Sequence, residues 1–163
     1  MDRPIFARKQ CGALLTAFLA GAAAGQVAQG QLEIRSIAEV ETKSASGAVK
    51  LVPADRLVPG DRVIYTLEVR NTGESQVDSP SVTYAIPDHM QYVPDSAIGP
   101  GATVSYSVDG GQSFERAENL KVLQPDGRSR PAAAADYTGI RWKLKNPLKA
   151  NSVAFVRFRA LVK

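Results

Sequence analysis

Hydrophobic positions in this chain recur every second residue far more often than at helical spacing. Val63, Tyr65, Leu67 and Val69 alternate with Arg62, Thr66, Glu68 and Arg70, the period of a strand that buries one face. Val82, Tyr84 and Ile86 repeat the pattern, followed by Val104, Tyr106 and Val108, by Ile140, Trp142 and Leu144, and by Ala154, Val156, Phe158, Ala160 and Val162. Leu32, Ile34, Ala38 and Val40 predict a first strand, although Ile34 and Ile37 also suit a helical turn. Turn chemistry separates these runs. Pro59-Gly60-Asp61 predicts a type II turn, because proline presets the first central dihedral and glycine accepts the positive second one. Asn71-Thr72-Gly73 and Gly99-Pro100-Gly101 are further turns, and Asp109-Gly110-Gly111 running into Phe114 signals a hairpin. Tyr92 to Asp95 predicts a short edge segment that Pro94 terminates. Lys43 to Gly47, Gln124 to Pro131 and Asn146 to Asn151 read as loops or turns, and the alanines up to Ala135 are too few for a free helix.

About seven short strands with frequent turns predict an all-β protein, an antiparallel two-sheet immunoglobulin-like sandwich spanning residues 48–163. A small barrel satisfies the same alternation.

The alternation is absent from the first residues. Met1 to Gln10 carries Arg3, Arg8 and Lys9 against Asp2, and a 15-residue apolar, alanine-rich run from Cys11 to Gly25 follows. This is the layout of a cleaved signal peptide, shorter than the roughly 20 residues of a spanning helix. Residues 1–24 are therefore expected to be the leader, with Ala28 as the alternative cleavage point and an uncleaved membrane anchor as the competing reading. Residues 25–47 form a lead holding the possible first strand. The expected location is outside the cytoplasm, periplasmic or at the cell surface, with no transmembrane span in the mature form.

Composition narrows the chemistry. With 44% hydrophobic residues in 163, the chain has material for one packed core. One cysteine and one histidine leave no disulfide framework, ordinary zinc site or cysteine–histidine pair. Asp88-His89 lacks an accompanying nucleophile motif, and His89 reads as an exposed turn residue. Asp55, Asp61, Asp78, Asp88, Asp95 and Asp109 do not have the spacing of a calcium loop. Gly99-Pro100-Gly101 is not a phosphate loop. No catalytic, metal or cofactor motif is found, so no enzyme and no cofactor are expected.

Leu57 to Gly73, with its Pro-Gly-Asp turn, Tyr-centred strand and Asn-Thr-Gly turn, resembles the opening of the domain of unknown function 11 family, the conserved repeat domain of bacterial envelope and surface proteins. Val82 to Pro87 and Met90 to Pro94 resemble its next strand and proline corner, and Ile140 to Leu144 with Val153 to Val162 its closing pair. Tyr84 stands where the family usually carries an aspartate. The resemblance implies an exported immunoglobulin-like module and supplies no catalytic residue.

Charge is distributed unevenly. Residues 25–115 hold six bases and twelve acids, whereas residues 116–163 hold eleven bases and three acids. Arg141, Lys143 and Lys145 share the outward parity of one strand, and Arg157, Arg159 and Lys163 that of the next. If those two consecutive strands pair, up to six cations line one face, an arrangement that repulsion disfavours without a compensating partner. The candidate partners are an acidic polysaccharide, a lipid headgroup or an envelope protein. The competing reading is a solvated face neutralised by Glu68 or other acids. Nucleic acid is not expected, since no aromatic is evident among the cations. The function expected is a non-catalytic structural or interaction module of the bacterial envelope, with a periplasmic assembly chaperone as the alternative.

Overall fold

The computed structural model describes residues 32–43 and 47–163. Its strands are β1 (Leu32–Lys43), β2 (Val49–Pro53), β3 (Arg62–Asn71), β4 (Ser81–Ala85), β5 (Met90–Tyr92), β6 (Ala102–Ser107), β7 (Lys121–Leu123), β8 (Ser129–Pro131), β9 (Gly139–Leu144) and β10 (Val153–Val162), with one 3₁₀ turn at Ala134–Asp136. The protein is all-β and every strand pairing is antiparallel. The expected leader lies outside the described residues, as does the centre of the Lys43 to Gly47 loop.

Turn residues act as their chemistry predicts. Asp61 N–H donates to the Val58 carbonyl at 3.0 Å and Gly60 takes a φ of 95°, the left-handed value a type II turn needs. Asn71 is fully buried. Its amide donates to the carbonyls of Ser75 at 2.8 Å and Leu148 at 3.0 Å, and its oxygen accepts from Gly73 N–H. One side chain thus ends β3 and ties that corner to the loop before β10.

The strands form a five-stranded sheet in the order β2-β1-β3-β10-β5, a three-stranded sheet β4-β9-β6 and a small hairpin β7-β8. The inner faces of the two larger sheets meet in one core, an arrangement consistent with a β-sandwich. Trp142 of β9 lies 6.1 Å from Phe158 of β10, ring centre to ring centre, and Tyr84 of β4 lies 5.6 Å from Tyr65 of β3. Trp142, Phe158, Leu67, Ile140, Val63, Val69, Val82 and Val156 are fully buried, each contributing about 1.5–3 kcal/mol by leaving water. The inward parities read from the sequence for β3, β9 and β10 match this core.

Three expectations about the strands and their turns differ from the structure. First, β9 and β10 are consecutive but belong to opposite sheets, so they do not pair. Each instead finds partners that were distant in sequence, β9 between β4 and β6 and β10 between β3 and β5. Second, Gln124 to Pro131 is not all loop: β7 and β8 pair around a turn in which Gly127 has a φ of 81°. Strands of three residues are too short for alternation to register. Third, the Asp109-Gly110-Gly111 hairpin keeps a single bridge, Tyr106 to Glu115. There the Asp109 carboxylate accepts from the N–H groups of Gln112 and Ser113 and from the hydroxyls of Ser107 and Ser113, so side-chain bonds replace a ladder.

Candidate functional site

The topology divides the six cations three and three. Arg157 and Arg159 stand on the outer face of the five-stranded sheet, and Lys163 follows its β10 strand. Arg141 and Lys143 stand on the outer face of the three-stranded sheet, and Lys145 continues from the end of β9. The core separates the two groups, so no six-cation face exists.

The two halves differ in their neighbours. Antiparallel register places Glu39, Ile64 and Arg159 in one row of the five-stranded sheet, and Arg35, Glu68 and Phe155 in another. Arg159 reaches Glu41 at 3.3 Å, and Arg70 reaches Glu68 at 2.8 Å. The Arg157 Nε donates to the Thr66 hydroxyl at 3.1 Å. These arms lie along the central strand, and Ile64 and Thr66, although they point outward, are only 3% and 8% exposed. Neutralisation by neighbouring acids therefore describes Arg159 on this sheet, with Glu41 as the acid, while Glu68 serves Arg70. Lys163 is exposed at the end of the sheet, where its backbone N–H donates to the His89 carbonyl.

The three-stranded sheet has a different outer surface. Register aligns Ser81, Lys143 and Thr103 in one row and Thr83, Arg141 and Ser105 in the next. Each cation is thus flanked by a hydroxyl on both sides, and none of these rows contains a carboxylate. Among the described residues no acid forms a salt bridge with Arg141, Lys143 or Lys145. Lys143 and Lys145 are exposed. Arg141 is held in place: its Nε donates to the Thr83 hydroxyl at 3.2 Å, and its guanidinium carbon lies 3.8 Å from the centre of the Phe114 ring. Phe114 comes from the Asp109 loop and packs over Gly139, where an added Cβ would meet the ring at 3.6 Å. An aromatic does therefore stand against one of the cations, contrary to the sequence expectation. It was missed because Phe114 reaches Arg141 only through folding. The hydroxyl rows had a signal, since Ser81, Thr83, Thr103 and Ser105 occupy the outward parity of their strands, but only register sets them beside the cations.

Other polar arrangements serve the fold. The hydrogen bonds to Asp109, led by those from Ser113, hold its carboxyl well below the usual carboxylate range. The Arg130 guanidinium, bound at 2.6 and 2.7 Å, and the N–H of Ala133 lower Asp136 to about 2. Tyr92 and Tyr106 share a 2.9 Å hydrogen bond, and burial first, then this bond, pushes the Tyr106 phenol up. With Tyr137, Asp95 and Pro94 they line a recess of about 170 Å³. A second, apolar recess of about 420 Å³ is lined by Ile98, Gly99, Pro100, Phe155 and Arg157. His89 is exposed, as expected, and among the described residues no group of three His, Cys, Asp or Glu side chains could hold a metal ion. No described helix is long and apolar enough to cross a membrane.

Comparison with protein-family models, with curated proteins and with solved structures finds no match for this chain.

Proposed function

We propose that this protein is an exported, non-catalytic, immunoglobulin-like interaction module of the bacterial cell envelope, and that its working surface is the outer face of the three-stranded sheet. The observation that carries this reading is the contrast between the two sheet faces. On the five-stranded sheet, Arg159 and Arg70 have carboxylate partners within the molecule, and Arg157 rests on the Thr66 hydroxyl. On the three-stranded sheet, Arg141 and Lys143 have hydroxyl neighbours and no acid in their rows. Uncompensated like charge on a rigid face raises the local concentration of anions and favours an anionic partner. The leader-like amino terminus and the resemblance to the envelope repeat family support the location.

The test is retention of the full chain, expressed for export, on envelope fractions across a salt series. Retention is expected to fall steeply as salt rises and to be lost in a variant carrying Arg141→Ser, Lys143→Ser and Lys145→Ser. Salt-insensitive retention kept by that variant would move the working surface elsewhere.

A second reading, an assembly chaperone, draws on the edge strand β2, where Val49 and Leu51 are 64% and 39% exposed. An unpaired apolar edge is a template for a client strand. Under that reading Val49→Lys abolishes client capture and captured clients are released on folding, whereas a structural module stays bound.

A further inference from the structure

We infer that the ligand of the three-stranded face is an acidic polysaccharide, its carboxylates placed along β9 and its hydroxyls met by the strands on either side; this rests on the interaction-module reading above. Arg141 and Lys143 are two residues apart on one strand and stand about 7 Å apart along it, and Lys145 continues the line beyond the end of β9. A linear polymer with repeated negative charges matches such a row better than a compact anion does. Arg141 is pre-set for a carboxylate: Thr83 takes its Nε and Phe114 supports its plane, and among the described residues no acceptor takes its Nη groups. Restraining a guanidinium before binding reduces the entropy lost on binding.

The neighbours choose between classes of polyanion. Ser81 and Thr83 on β4, and Thr103 and Ser105 on β6, border the cations on both sides. A hydroxyl both donates and accepts, as do the hydroxyls of a sugar. None of the exposed large hydrophobic residues lies on this face: Ile34, Ile37, Val49, Leu51, Phe155 and Leu161 belong to strands of the five-stranded sheet, and Val58, Ile98 and Leu123 lie outside the three-stranded one. A protein partner would ordinarily require a buried aromatic or aliphatic anchor at the centre of the contact, and insertion between lipids would require apolar side chains. A cationic, hydroxyl-bordered surface whose aromatic Phe114 is half-buried against the Arg141 guanidinium suits a hydrated, polyhydroxylated polyanion.

The test uses the full exported chain and polygalacturonate as the probe, with neutral dextran and anionic phosphatidylglycerol vesicles as the other arms. Binding to polygalacturonate and not to dextran is expected. The variant Arg141→Ser, Lys143→Ser, Lys145→Ser should lose affinity by at least about tenfold. A second variant, Arg35→Ser, Arg62→Ser, Lys163→Ser, removes the same charge from the five-stranded side and should stay within about twofold if position rather than net charge governs binding. A third, Thr103→Val with Ser105→Ala, leaves charge untouched and should weaken binding by about threefold or more through lost hydroxyl contacts. Equal losses in the first two variants, or no loss in the third, would overturn the assignment. Envelope retention that depends on this face while vesicles bind and polygalacturonate does not would overturn the polysaccharide and keep the interaction module. Loss of face-dependent retention altogether would remove both.

Discussion

Trp142 shows how much one side chain decides in this fold. It is fully buried at the centre of β9, faces Phe158 across the core, and its indole N–H is the single buried side-chain donor or acceptor left without a hydrogen-bond partner among the described residues. Two opposing effects follow from replacing it. Trp142→Ala opens a cavity and should cost about 3–5 kcal/mol. Trp142→Phe removes less volume and also removes an unsatisfied donor, whose burial costs about 1–3 kcal/mol, so its net cost should be below about 1.5 kcal/mol. Urea denaturation of the two variants checks this, and a loss for Trp142→Phe well above about 1.5 kcal/mol would mean that the indole N–H has a partner in solution. Gly99 belongs to the same neighbourhood. A Cβ there would come 2.9 Å from a Val156 methyl and 3.3 Å from the Trp142 ring, so this glycine is required by packing. The sequence marked it only as part of a turn.

Among the elements, the β7–β8 hairpin and its 3₁₀ turn depend on one carboxylate. Asp136 pairs with both terminal nitrogens of Arg130 and caps the N–H of Ala133. Its folded value of about 2 lies below the ordinary 3.8, because the guanidinium and then the amide favour the charged form. A depressed carboxyl contributes stability above its unfolded value and loses that contribution as pH falls through the folded one. The Ala133 amide should therefore exchange faster with solvent as pH drops from about 4 to 2, beyond the intrinsic pH effect, while core amides of β3 stay protected. Asp136→Asn should show the fast local opening already at neutral pH. Unchanged protection in that variant would assign the turn's order to packing instead. Arg130 lies in a stretch read from the sequence as loop and Asp136 just beyond it, and the pair became visible only when β7 and β8 folded that stretch back on itself.

At the scale of the whole molecule, the amino-terminal strand belongs to the five-stranded sheet as fully as any other. β1 pairs with β3 from Leu32 to Val40 and with β2 from Glu39 to Lys43, and its inward Val40 is only 6% exposed. A version beginning at Ala48, the start of the sandwich as read from the sequence, should lose this interior strand and expose the edge of β3. Exposed edges of this kind promote association. We expect the shortened protein to elute as aggregates and to lose its cooperative thermal transition, whereas a version beginning at residue 25 remains monodisperse. Size-exclusion chromatography with far-ultraviolet circular dichroism distinguishes the cases, and a folded, monomeric Ala48 version would show that β1 is dispensable.

The features legible without any partner strand are local. Alternation with period two follows from the geometry of a single strand, so the inward faces of β3, β9 and β10 and the identity of the core residues could be read without any partner strand. Turn chemistry is equally local, which is why Pro59-Gly60-Asp61 and the Asn71 corner behave as their residues require. The tertiary structure alone decided which strands are neighbours. Adjacency in a sheet is set by burying two apolar faces against each other, a property of all strands together, and it sent the consecutive β9 and β10 to opposite layers. That one outcome separated Arg141, Lys143 and Lys145 from Arg157, Arg159 and Lys163. It gave Arg159 a glutamate from β1, and it surrounded Arg141 with Thr83, Ser105 and Phe114, residues that are remote from it in the chain.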